Sequence, residues 1–393
     1  MKIVVLASLA MSLTRFRGRL IAQLIAEGHE VLACAPDRDE AVVAELAAMG
    51  ARFAVTPMAR AGLNPLQDAA TLLRYVRLFL RERPDVVIAY TQKPIIYGGL
   101  AARLFPGIRY HVIMSGLGYV YSSAADSRRV LRRLVSHLYR AGVKQARTIF
   151  VFNGDDRRLM LQQGIIDPSQ NVVQVPGSGI DTDHYAYQPL PMGPPTFLMT
   201  ARLMQDKGVG EYIEAARAVR RIIPDARFLL LGRPENENPT GYSAAQVEAW
   251  GKAGLIEHID ETRDVRPYLA MSHAFVLPSY YREGLPRTIL EALSVGRPVI
   301  TCDLPGCRDA VTPGENGWLV LPRSPGALTD AMMQAATDRC GLDRMSRNAR
   351  ALACDRYDVR KVNAQLIDAM ALDAEPVAPP TGSPQAVTME PAA

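Results

Sequence analysis

Two carboxylates, Glu283 and Glu291, stand eight positions apart in REGLPRTILEALSVGRPVI, which begins at Arg282. Ionised carboxylates only accept hydrogen bonds, so the pair suits sugar hydroxyls, and Glu291 can hold a ribose with both oxygens as the acids of dinucleotide sites do. Upstream, TFLMTARLMQDKGVGEYIEAA carries Arg202 and Lys207. Two cations aimed at one cleft would neutralise a diphosphate and stabilise it as a leaving group, a task a metal ion performs elsewhere. A pair of glutamates or of cations taken alone is most often a solvated surface. What separates these residues from that background is their setting in loops that join a strand to a helix.

The setting reads as follows. VLPS, ending at Ser279, is a strand, and YYREGLP is the loop at its carboxyl end. Pro286 suits the first turn of a helix, where its missing N–H would be unpaired anyway. RTILEALSV continues as helix until Gly296 and Pro298 stop it. Gly284 lets the backbone approach a ligand closely, and the first-turn amides, at the positive end of the helix dipole, make an anion site.

The rest of the chain must supply the frame. At 393 residues it exceeds the size of one core, so two domains are expected. Hydrophobic content of 48% with 22% charged residues fits a soluble globular chain, and a net charge of +5 is too weak to imply nucleic acid. Cys34, Cys302, Cys307, Cys340 and Cys354 are odd in number and form no CxxC pair, which speaks against a disulfide framework or zinc site and fits a reducing cytoplasm. MKIVVLASLAMSL resembles a short secretory leader, but KIVVLAS followed at once by an amphipathic stretch, a Gly turn and EVLACA reads better as strand, helix and strand. No uncharged apolar run is long enough to span a bilayer.

IVVLAS, EVLACA, ARFAVT, DVVIAY, YHVIMS and TIFVFN read as buried parallel strands alternating with helices. After the break YQPLPMGPP the grammar restarts with TFLMTA, ARFLLLG, AFVLPS, RPVITC and GWLVLP, placing a domain boundary near Pro191. The expectation is an α/β chain of two facing Rossmann-like domains, 1–190 and 191–371, with a cleft between the carboxyl ends of the sheets. The last helix is expected to pack back on the first domain, and the Pro- and Ala-rich residues 372–393 to form a disordered tail.

ARLMQDKG followed by FVLPSYYREGLPRTILEALSVGRPVI resembles the signature of the retaining, GT-B-fold glycosyltransferases of family 4, in which one Glu is followed by seven residues and a second Glu. TQKPIIYGGLAARL, SGLGYVY, VPGSGIDTDHY and GENGWLV resemble further segments in the same order. ARAGLNP, ARLMQDKGVGEYIEAA and GRPENENP look most like bacterial enzymes that add a hexose or N-acetylhexosamine to polyprenyl-diphosphate-linked sugars, among them the N-acetylgalactosaminyltransferase of bacterial protein N-glycosylation. The resemblance implies a nucleotide-sugar donor, with UDP as the nucleotide, and a polyprenyl-diphosphate-linked glycan acceptor. It implies no metal and no cofactor. It assigns catalysis to Glu283, Lys207 and Arg202, and donor binding to these with Gly284, Leu285, Pro286, Thr288 and Glu291. In that scheme Arg202 and Lys207 hold the diphosphate, Glu283 the donor sugar, amides from Leu285 to Thr288 the phosphates, and Glu291 the ribose. Three departures stand out: SLAMSLTRFR has no Gly before Gly18, YTQKP replaces a histidine-bearing element so that no catalytic His is assigned, and Asp260 sits where Gly is common.

Other features weigh less. Asp181 to Asp183, DTD, could pass for a metal-binding DxD, but one such triplet without further oxygen ligands is a weak signal. His29, His111, His137, His184, His258 and His273 have no metal spacing. Arg15, Arg17 and Lys93 fall at strand ends of the first domain and, with Gly116, are the candidates to meet an acceptor diphosphate. SRRVLRRLVSHLYRAGVKQAR, from Ser127, mixes basic and apolar residues at helical spacing; it is either a solvated helix packed on the sheet or a face for acidic lipid headgroups. A lipid-linked acceptor favours the second, hence a cytoplasmic enzyme peripheral to the inner membrane. The competing expectations are a sugar-nucleotide epimerase or a phosphorylase on the same two-domain plan, and a non-catalytic two-lobed protein that binds sugar-nucleotides.

Overall fold

A computed structural model describes residues 1–59, 62, 64–121, 129–236 and 238–372. The tail from 373, the start of the basic stretch at Ser127, and parts of ARAGLNP and GRPENENP lie outside the described residues.

The first domain is a parallel sheet in the order β3-β2-β1-β4-β5-β6-β7. Its strands are β1 (Lys2–Leu6), β2 (Glu30–Ala35), β3 (Arg52–Val55), β4 (Val86–Tyr90), β5 (Arg109–Met114), β6 (Thr148–Val151) and β7 (Val172–Gln174). The helices between them are α1 (Ala10–Ala26), α2 (Glu40–Ala48), α3 (Pro65–Glu82), α4 (Gln92–Ala102), α5 (Arg129–Val143) and α6 (Gly154–Gln162). Alternate residues of β1 serve opposite cores. Ile3 and Val5 pack with α1 and α2, whereas Val4 and Leu6 pack with α3, α4 and α5. Burial on both faces is why these strands are apolar without interruption.

The second domain repeats the plan in the order β10-β9-β8-β11-β12-β13. It comprises β8 (Thr196–Thr200), α7 (Val209–Ile222), β9 (Arg227–Leu231), α8 (Ala244–Lys252), β10 (Glu257–Ile259), α9 (Arg266–Ala270), β11 (Ala274–Leu277), α10 (Arg287–Val295), β12 (Val299–Cys302), β13 (Gly317–Val320), α11 (Pro325–Thr337), α12 (Arg339–Arg356) and α13 (Val359–Met370). β7 and β10 were not expected from the sequence. Each has three residues and lies at a sheet edge, where half-exposed VVQ and EHI carry no apolar run.

Helix α13 returns to the first domain. The Val359 amide donates to the Ile180 carbonyl at 2.9 Å, the Arg109 guanidinium to the carbonyls of Ala371 and Leu372 at 3.2 and 3.3 Å, and the Thr148 hydroxyl to that of Ala369 at 3.1 Å. The chain thus begins and ends its described course on one lobe.

Capping sorts the helices by position. Side chains of Asp39, Asn64, Asn153, Ser243, Ser324, Asp338 and Asp358 cap α2, α3, α6, α8, α11, α12 and α13. In contrast α1, α4, α7 and α10 start with no side-chain cap, as does the short α9. These four follow β1, β4, β8 and β11, the strands that flank the point where each sheet reverses its order. First-turn amides at both reversal points leave donors for a ligand where open α/β sheets bind one, although at α1 the Ala10 amide is taken by Asp37 Oδ1 at 2.9 Å.

Candidate active site

Strands β8 and β11 are neighbours, so the loops that leave their carboxyl ends meet. The Asp206 carbonyl, one residue before Lys207, accepts the amides of Tyr280 and Tyr281, both at 2.9 Å. Gly208 lies so close to Pro278 that an added Cβ would sit 2.3 Å from its carbonyl oxygen, and its φ of +78° also favours glycine. This stitching brings Lys207 onto Glu283. Its Nζ forms an ion pair with Glu283 Oε1, which also accepts the Ser279 hydroxyl at 3.1 Å. The ammonium lies 5.0 Å from the centre of the Tyr281 ring. Both side chains are largely buried. An incoming anion would compete for Lys207 and release Glu283 to accept hydroxyls.

Helix α10 begins directly behind this pair. Pro286 is its N-cap, one residue earlier than a place within the first turn, and with φ −63° and ψ 121° it offers no side-chain acceptor. The amides of Leu285, Arg287 and Thr288 donate to no acceptor among the described residues. Nothing on the helix itself neutralises that positive end, so it remains available to an anion. The helix stops at Gly296, φ +83°. One turn in, Glu291 accepts the Tyr185 hydroxyl at 3.0 Å and Arg287 Nε at 3.1 Å. Burial, then the charge of Glu291, push the Tyr185 hydroxyl above its ordinary value. Arg202 is exposed on the loop after β8; its carbonyl accepts the Met204 amide at 2.8 Å, and its side chain makes no hydrogen bond or ion pair among the described residues.

The first-domain candidates fall into different settings. Arg17 is 2% exposed, between the rings of Tyr90 and Phe152 at 5.2 and 5.9 Å, and its Nε has no hydrogen-bond partner among the described residues. Burial lowers its pKa to about 10, so it stays charged at neutral pH. Arg15 is exposed and close enough for its charge to act on the Tyr185 hydroxyl. Lys93 is buried and bound to Asp68 at 2.7 Å, so an acceptor anion would have to displace a carboxylate. Gly116, φ +123°, sits where the domains touch, and a Cβ there would be 2.7 Å from the Gly284 nitrogen.

Further contacts tie the two lobes. Arg282 Nε donates to Asp156 Oδ1 at 2.9 Å, Asn153 Nδ2 to the Gly284 carbonyl at 2.8 Å, and Arg308 to Asp155 at 2.9 Å. The aspartates of DTD face arginines, Asp181 pairing with Arg19 and Asp183 with Arg360. Among the described residues no three His, Cys, Asp or Glu side chains gather as a metal site. Asp260 lines a separate groove of about 880 Å³ with Arg233, Glu235 and His258 at the ends of β9 and β10. Lys207 and Glu283 do not line it. Tyr185, Ser279, Asn153, Asp156 and Arg282 are the neighbours that sequence reasoning missed. Tyr185 closes the GSGIDTDHY segment, but nothing in the residue order says that its hydroxyl reaches Glu291.

Comparison with known proteins agrees with this architecture. Residues 13–177 match the family described as glycosyl transferase 4-like domain and 182–352 that described as glycosyl transferases group 1. The N,N'-diacetylbacillosaminyl-diphospho-undecaprenol alpha-1,3-N-acetylgalactosaminyltransferase of Campylobacter jejuni is 26% identical over 361 residues, covering 89% of this chain and 93% of that one. The UDP-Gal:alpha-D-GlcNAc-diphosphoundecaprenol alpha-1,3-galactosyltransferase of Escherichia coli is 25% identical over 312 residues, covering 76% and 78%. In fold, Anabaena Alr3699/HepE in complex with UDP-glucose superposes with a TM-score of 0.74 at 18% identity, over 94% of this chain and 98% of that one. Sucrose-phosphate synthase from Thermosynechococcus elongatus gives 0.75 at 17%, again over 94% and 98%. The chain belongs to the group 1 glycosyltransferases with a family-4-like first domain, and it is a glycosyltransferase of GT-B fold.

Proposed function

We propose that the chain moves a hexose or N-acetylhexosamine from a UDP-sugar to a polyprenyl-diphosphate-linked glycan, retaining anomeric configuration and using no metal. The observation that carries the donor half is the pairing of Lys207 with Glu283 beside the uncapped first turn of α10. Lys207 and Arg202 take the diphosphate with the amides of Leu285, Arg287 and Thr288. Glu283 takes hydroxyls of the donor sugar, and Glu291 the ribose, exchanging its contact with Arg287 or Tyr185 for the sugar hydroxyls. The named substrates of the Campylobacter and Escherichia relatives, both diphospho-undecaprenol sugars, support the acceptor class.

The reaction needs no protein nucleophile. The bond from the anomeric carbon to the diphosphate oxygen breaks, and the acceptor oxygen bonds the same face of that carbon. Its proton passes to the departing phosphate oxygen. The protein positions two substrates and stabilises the charge that builds on the leaving group. In the first domain Arg17, buried without a carboxylate partner among the described residues, and Arg15 are the groups offered to the acceptor diphosphate. Exposed Val130 and Leu134 on α5, among Arg129, Arg132 and Arg133, suit a surface of anionic lipid, as do exposed Leu66, Leu73 and Leu80 on α3.

The test is transfer from UDP-, GDP- and ADP-sugars to short polyprenyl-diphosphate glycans held in vesicles of phosphatidylglycerol or phosphatidylcholine. UDP-sugar turnover, a product of retained configuration and faster transfer on the anionic vesicles are expected. An inverted product would refute the same-face step, nucleotide-sugar turnover with no acceptor present would favour an epimerase, and equal rates on both vesicles would remove the membrane reading.

A further inference from the structure

Glu283 belongs to the second domain, yet the residues on both sides of it are held by the first. Arg282 reaches Asp156, whose carboxylate is wholly buried, with Nε 2.9 Å from Oδ1. Gly284 gives its carbonyl to Asn153 Nδ2 at 2.8 Å. The two partners are one unit: Asn153 caps α6 by accepting the Asp156 amide at 2.7 Å, and its Nδ2 also lies 3.2 Å from Asp156 Oδ2. Gly284 has no room for a side chain, since a Cβ would stand 2.1 Å from the Ser115 carbonyl oxygen. From the other side Gly306 presses on the same loop, where its Cβ would lie 2.6 Å from the Glu283 carbonyl oxygen.

From this arrangement we infer that Asn153 and Asp156 are positioning residues for Glu283: the acceptor-binding lobe aims the donor-sugar carboxylate, so the donor site is complete only when the lobes are closed. The inference rests on Glu283 contacting donor sugar. It adds that this contact is conditional on the opposite domain. A purely structural role for the pair would be expected to stabilise the fold, and the electrostatics point elsewhere. Burial raises the Asp156 carboxyl above its ordinary value, against the pull of Arg282. A raised folded-state value contributes stability below the unfolded value of about 3.9 and loses it as pH climbs through the folded value, so at neutral pH the charge is a cost. Asp156→Asn keeps the shape, removes that cost and is expected to fold at least as well as the parent.

The experiment compares Asp156→Asn, Asn153→Ser, which retains a capping hydroxyl but is too short to reach Gly284, and Asp155→Asn, which cuts the other cross-domain pair with Arg308. Two readouts are taken on the full chain: hydrogen–deuterium exchange of the segment 280–286, and kinetics with UDP-N-acetylgalactosamine as the probe donor. Asp156→Asn and Asn153→Ser should speed exchange in that segment several-fold and lower kcat roughly tenfold to a hundredfold, with donor KM within about threefold and Tm unchanged or raised. Asp155→Asn should leave both readouts at the parent level. Unchanged exchange in Asp156→Asn overturns the inference, and so does an equal effect from Asp155→Asn, which would mean general domain closure. Glu283→Gln is run alongside: if it retains full turnover, the donor-site reading fails, whereas an inactive Glu283→Gln with a fully active Asp156→Asn defeats positioning alone. Should the probe donor not be turned over by the parent, exchange still decides the positioning.

Discussion

A lysine and a glutamate in contact are an ordinary ion pair until their surroundings are weighed. Lys207 and Glu283 are largely removed from solvent, lie on separate loops, and share the space in front of three unpartnered amides. Under the proposed reaction an ammonium there would act as a fixed charge for the leaving group. Lys207→Ala should therefore lower kcat by about a hundredfold to a thousandfold, the scale seen when one such donor is removed, and Glu283→Gln should lower it severely as well. Both variants should stay folded but melt below the parent, because removing one partner leaves the other charge unpaired in a largely buried setting. Steady-state rates and thermal melts on purified variants check this. Full activity in either would remove that residue from the reaction, and unfolding would assign it to the fold.

At the scale of elements, the proposed diphosphate site rests on a helix end as well as on side chains. Helix α10 begins at Pro286 with no capping acceptor, while seven other helices are closed by Asp, Asn or Ser. Substituting Arg287 separates backbone from side chain. Arg287→Ala removes the contact with Glu291, and Arg287→Pro removes that contact and one first-turn amide, with Pro favoured at the first helical position. Arg287→Pro should bind UDP about tenfold more weakly than Arg287→Ala by calorimetry, as for loss of one charge-assisted hydrogen bond. Equal affinities would show that the amide is not used. Much of this element was legible in the residue order, because a Gly/Pro loop between a buried strand and an amphipathic helix has few other readings. The long parallel strands were legible for the same reason, as burial on both faces leaves an uninterrupted apolar record. Three-residue edge strands β7 and β10 leave none. Nor could the sequence disclose Tyr185 or Asp156, which meet Glu291 and Arg282 across 106 and 126 positions through contacts that exist only once the domains are docked. The occupancy of Lys93 by Asp68 and the burial of Arg17 were equally out of reach, since charge type says nothing of what a folded neighbour supplies.

For the whole molecule, two sheets with reversed strand order face each other, and the groups that matter come from both rims. Arg282 and Arg308 join the lobes through ion pairs, and Gly116 and Gly284 allow their backbones to touch. Helix α13 returns the chain to the first lobe. One apolar cluster runs through both lobes, from Ile3 and Val5 by way of Ile180 and Val362 to Phe197 and Leu290. The central claim is that its second lobe grips a diphosphate with Lys207, Arg202 and the α10 amides, and needs no divalent ion to do so. Calorimetric titration of UDP into the parent chain and into Lys207→Ala, each with EDTA and with magnesium, tests it most directly. The account predicts that the parent binds UDP equally under both conditions and that Lys207→Ala binds at least about tenfold more weakly. Binding that vanishes in EDTA, or that is undiminished without Lys207, would contradict it.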